Sequence, residues 1–98
     1  MKCKYMVDVI CEDTGKALAI SYSTEIPFQP NAGTRVYLTE REFEVTDQEW
    51  VHGTSELMIF LDDQRFSSEF SKYKSIDELV DELKTDGWTC DALVSEGV

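Results

Sequence analysis

Between Lys2 and Cys11 every odd position is apolar or aromatic: Cys3, Tyr5, Val7, Val9 and Cys11. The even positions, Lys2, Lys4, Met6, Asp8 and Ile10, are mixed. A helix spreads residues two apart around its axis, whereas a strand sends them all to one side. The chain therefore opens with a strand that has one buried face. The next segment, 12–16, reads Glu-Asp-Thr-Gly-Lys, which is turn composition with Gly15 supplying a positive φ. A return strand is predicted over about 17–26. Leu18, Ile20, Tyr22 and Ile26 would share one face. Ala17, Ala19, Ser21 and Ser23 on the other are small enough for close packing.

Both prolines of the chain, Pro27 and Pro30, fall in the loop that ends this hairpin. A second β region follows over 35–38, 42–51 and 57–61, with 52–56 as a hairpin loop. Phe43 and Val45 are in phase but Trp50 is not, so a bulge near 47–49 is expected. Segment 62–74 is ambiguous. Phe66, Phe70 and Tyr73 have helical spacing, yet the stretch is serine-rich and could be extended.

The clearest helix signal lies further on. Ser75-Ile76-Asp77-Glu78 is a capping box. Ile76, Leu79, Val80 and Leu83 form one apolar stripe at helical spacing. Asp86-Gly87 ends the helix, with Gly87 left-handed and Trp88 placed to pack on Leu83. The helix is predicted over 76–86, with a short last strand over 88–94. The expected architecture is α+β, a single domain over 1–98. It has an antiparallel sheet of about five strands, curled or barrel-like as a variant, with one amphipathic C-terminal helix packed on one face.

The 98-residue chain is 42% hydrophobic, too apolar for a disordered segment despite a net charge of −11. Its longest apolar run, 57–61, is far short of the ~20 residues that span a bilayer. The start lacks the continuous apolar region of a signal peptide, so the cytoplasm is the expected location. Cys3 and Cys11, on one strand at ~3.3 Å per residue, are about 26 Å apart and cannot pair. The three cysteines read as small buried hydrophobes in a reducing compartment, with a pairing of Cys90 to one of the others as the alternative.

Little in the sequence points to catalysis, and no enzyme activity is expected. The one histidine, His52, sits in the predicted hairpin loop, and no Ser or Cys nucleophile motif accompanies it. Closely spaced cysteines for zinc, spaced oxygen ligands for calcium and a glycine-rich phosphate loop are all missing from the sequence. Asp62-Asp63 after a strand could touch a divalent cation, but no metal or cofactor is expected. Lys72-Tyr73-Lys74 is the nearest approach to a nucleic-acid footprint and reads as solvated loop.

The charge is unevenly spread. Residues 1–37 are neutral and 64–74 carry a net +2, whereas 38–63 carry −7 and 75–98 carry −6. Such a surface repels nucleic-acid backbones and anionic membranes, and it favours a basic protein surface as partner. Glu40, Glu42 and Glu44 alternate with core-facing positions, and Asp47 and Glu49 continue the block. On the helix Asp77, Asp81 and Glu82 add like-charge contacts that only Lys84 relieves. These eight carboxylates are the candidate partner-binding residues. In the sharpest form of this reading the chain is a nucleic-acid mimic whose carboxylates occupy a groove meant for phosphates. The chain resembles, in size and charge, the small acidic inhibitors of restriction or CRISPR machinery carried by phages and mobile elements, and the likeness is one of composition. One alternative is an accessory subunit working through an apolar surface, with Phe28, Phe66, Phe70 and Tyr73 as anchors. The other is a carboxylate-dependent enzyme, which would need a pocket holding two acids.

Overall fold

The computed structural model describes every residue except Phe28, Thr54, Ser68, Phe70 and Val98. The strands are β1 (Lys2–Cys11), β2 (Ala17–Glu25), β3 (Arg35–Leu38), β4 (Arg41–Val51), β5 (Glu56–Leu61) and β6 (Gln64–Phe66). Helix α1 (Ile76–Thr85) and strand β7 (Thr89–Ser95) complete the chain. The strand order is β3-β4-β5-β1-β2-β7, with β6 also on β1.

The fold is α+β, but the sheet differs from expectation. Among the described residues it has seven strands and is mixed: β5 and then β6 run parallel to β1, while β2–β7, β3–β4 and β4–β5 are antiparallel. Alternation tells which side of a strand is buried, not which strand lies beside it, so the parallel pairing left no trace in the sequence. Among the described residues the pairing path ends at β3 and β7 and does not close into a barrel. Among its described residues the ambiguous segment 62–74 supplies the short strand β6 and no helix.

Contacts divide the chain into two compact units. One is Met1–Met6 with Tyr22–Asp62, the other Val7–Ser21 with Asp63–Val98. In the first, the inward files are Cys3 and Tyr5 on β1, Phe43 and Val45 on β4, and Leu57, Ile59 and Leu61 on β5, all buried. The expected slip in β4 is present one residue earlier than predicted. Val45 lies opposite Leu61 and Asp47 opposite Phe60, leaving Thr46 as the extra residue of a bulge. The slip puts Trp50 opposite the buried Leu57, and Trp50 stays 43% exposed.

In the second unit the Cys11 N–H donates to the Lys16 carbonyl (2.9 Å) and closes the first hairpin, and Gly15 has φ 76°. Ser75 Oγ accepts from the Glu78 N–H (3.2 Å) and caps α1. The Glu78 carboxylate reaches the Lys74 N–H (3.5 Å) rather than that of Ser75, a displaced form of the capping box. The helix is ten residues long and Asp86 is its cap residue. Beyond it the Trp88 N–H donates to the Leu83 carbonyl (3.0 Å) and the Gly87 N–H to that of Lys84 (3.1 Å), with Gly87 at φ 102°. This is the Schellman arrangement the sequence called for. Ile76, Leu79, Val80, Leu83 and Trp88 are buried, and α1 lies against β7.

Candidate functional site

The outward side of β4 is built by two simple constraints. Phe43 and Val45 are 2% and 0% exposed, so their neighbours Glu42 and Glu44 point to water. Past the bulge the parity reverses: Gln48 lies opposite the buried Ile59, so Asp47 and Glu49 point outward. Residues paired across a ladder share a face. Spacings of two, three and two residues therefore leave Glu42, Glu44, Asp47 and Glu49 in one exposed file, because Thr46 absorbs the odd step.

The turn preceding this file holds Glu40. Thr39 and Glu40 form a two-residue hairpin connection with φ 49° and 68°, and Glu40 is exposed. Neither residue is the Asn or Gly that such a turn favours, so no local signal marks it. Of the file itself, Glu42 is paired with Arg35 (3.3 Å). No described ion pair reaches Glu44, Asp47 or Glu49. The Glu44 backbone is fixed from both sides: its N–H donates to Asp62 Oδ1 (2.8 Å) and its carbonyl accepts from the Asp62 N–H (3.0 Å).

The carboxylates of α1 belong to the second unit and are differently placed. Asp77 pairs with Lys16 (3.5 Å). Glu82 pairs with Lys72 (3.4 Å) and also accepts from the Tyr73 hydroxyl. Asp81 is exposed. Relief of the helix charge thus comes from lysines outside the helix, not from Lys84 alone as its own sequence suggested.

Other candidates resolve into structure. Tyr73 is buried, stacks edge-on against half-buried Phe66 (centroids 6.4 Å apart) and carries Lys72 over its ring, so it is not an exposed anchor. Phe28 and Phe70 lie outside the described residues. Asp62 is engaged with Glu44, and Asp63 lies 3.9 Å from Arg65. Burial, and then the nearby Asp63, push the Asp8 carboxyl above its ordinary range. His52 is exposed in its turn. The cysteines are free, with Cys3 and Cys11 buried, and burial pushes the Cys3 thiol up. Among the described residues no group of three or more His, Cys, Asp or Glu is placed to hold a metal ion. No helix among them is long and apolar enough to cross a membrane.

The first unit also has a cavity of about 170 Å³ lined by Tyr5, Ile26, Pro27, Pro30, Thr34, Arg35 and Val36. No carboxylate lines it, so the paired acids that the enzymatic alternative requires are not found there.

No family model, curated protein or solved structure matches the chain.

Proposed function

We propose that this protein is a non-enzymatic interaction module that docks on a basic protein surface through the outward face of β4. One observation carries the reading: a bulge keeps four carboxylates on one exposed file, three of them outside any described ion pair. Carboxylates two residues apart on a strand are spaced by about 6.6–6.8 Å. A file of this kind offers a line of negative charge to a positive groove, speeds encounter and makes it salt-sensitive. In the nucleic-acid-mimic form, that groove is one that otherwise holds phosphates.

The test compares two triple variants of equal charge change. One carries Glu44→Gln, Asp47→Asn and Glu49→Gln; the other carries Asp77→Asn, Asp81→Asn and Glu82→Gln. Each is immobilised, exposed to a cell lysate at low ionic strength and eluted with rising salt, with and without double-stranded DNA. The β4 variant should lose bound proteins that the helix variant keeps, and DNA should displace them if the chain is a mimic. Equal loss from both variants would mean that only net charge matters and would defeat the reading.

A second reading, an accessory subunit working through an apolar surface, is favoured by β7. This strand ends the pairing path and leaves Leu93 and Val94 47% and 54% exposed. If it holds, Leu93→Gln with Val94→Gln abolishes a partner interaction that salt leaves unchanged.

A further inference from the structure

We infer that the segment received by the β4 face is an amphipathic basic helix, an inference that rests on the docking role proposed above. The carboxylate file does not stand alone. Across the ladder Asp47 is opposite Phe60 and Glu49 opposite Met58. On the far side of β5, Met58 is opposite Lys4 and Phe60 opposite Met6. Opposed residues share a face, so Met58, Phe60 and Met6 emerge on the same side as the acids. All three are half-buried. An acidic file and an apolar file thus run side by side, one strand spacing of about 4.7–4.9 Å apart.

A purely electrostatic partner has no use for the second file. A segment with adjoining basic and apolar stripes matches both. Helical geometry fits the repeat, because side chains at i and i+4 are separated by a rise of about 6 Å, close to the 6.6–6.8 Å between Asp47 and Glu49. Lysines or arginines at that spacing fall on the acids while the adjoining i+3, i+7 stripe falls on Met58 and Phe60. A helix about 10–12 Å across covers β4, β5 and the near side of β1. An extended segment laid on the face would find no backbone partners there, since the hydrogen bonds of β4 and β5 are already made within the sheet. The methionines supply side chains that adjust to the exact shape of an apolar stripe. Lys4, next to Met58, disfavours a second basic file on the β1 side and so fixes which way round the helix lies.

The experiment uses three synthetic peptides of equal length and charge: a Lys/Leu amphipathic helix with Lys at i, i+4, the same composition in strict Lys-Leu alternation, and a Lys/Ser peptide without apolar residues. Binding to the full chain is measured by titration, and the site is mapped by amide NMR shifts. The helical peptide should bind at least about tenfold more tightly than the other two, the effect of burying roughly one further apolar side chain. Shifts should centre on β4, β5 and the first residues of β1. Met58→Gln with Phe60→Gln should remove that advantage and leave Lys/Ser binding as it was, whereas Met58→Leu with Phe60→Leu should retain it. Equal affinity for all three peptides would overturn the helix and leave basic docking standing. Lys/Ser binding that the β4 triple variant does not weaken would overturn the docking role itself. Shifts confined to α1 or β7, or self-association of the chain in place of peptide binding, would overturn the assignment of this face.

Discussion

Thr39 and Glu40 hold the turn before β4 with both residues at positive φ. A non-glycine residue there costs roughly 1–2 kcal/mol, and a β-branched one is a marked outlier. Glu40→Gly should therefore raise stability by about 1 kcal/mol in urea unfolding. An unchanged or lower midpoint would show that the Glu40 side chain contributes more than the strain costs. Asp8 gives a prediction of opposite kind. Its pKa is raised in the folded state, first by burial and then by Asp63, so the folded protein holds this proton more tightly than the unfolded chain does. Ionising Asp8 costs stability as pH rises above the ordinary carboxyl value of 3.8, and the cost grows until the folded-state group has also ionised. Asp8→Asn should be more stable than the wild type at pH 7, and the gap should close as pH falls toward about 3. Denaturation curves at both pH values check this.

At the scale of elements, those that close on themselves were the legible ones. Ser75, Gly87 and Trp88 act within one or two turns of α1, and each does what its local sequence suggested. Ser75→Ala should cost about 0.5–2 kcal/mol, read by thermal or urea unfolding, because the Glu78 N–H loses its acceptor. A cost near zero would mean that water replaces the cap freely. The β4 bulge was half legible. The phase of Trp50 announced a slip, but its place at Thr46 depends on where β5 pairs. Segment 62–74 was not legible, since β6 exists only because β1 has an edge free to receive it. The carboxylates of α1 misled for a related reason: Lys16 and Lys72, which pair with Asp77 and Glu82, are distant in sequence.

For the whole chain, 20 acids against nine bases set the electrostatics. Raising ionic strength from about 0.01 to 0.1 M shortens the Debye length from about 30 to 10 Å and screens the repulsion among exposed carboxylates. The melting temperature should rise by several degrees across this range, while affinity for a basic partner falls. A melting temperature that drops with salt would show that pairs such as Lys16–Asp77 and Arg35–Glu42 outweigh the repulsion.

By itself the sequence determined the first hairpin and its turn, the caps of the helix and the inward files of β1 and of β4 up to its bulge. Each depends on residues a few positions apart, whose side chains differ. Tertiary structure alone decided that β5 and β6 lie parallel to β1, that Thr46 is the bulged residue and that the acids of β4 border Met58 and Phe60. Strands are joined by backbone groups that nearly every residue carries alike, so the choice of neighbour leaves little mark on the letters of either strand.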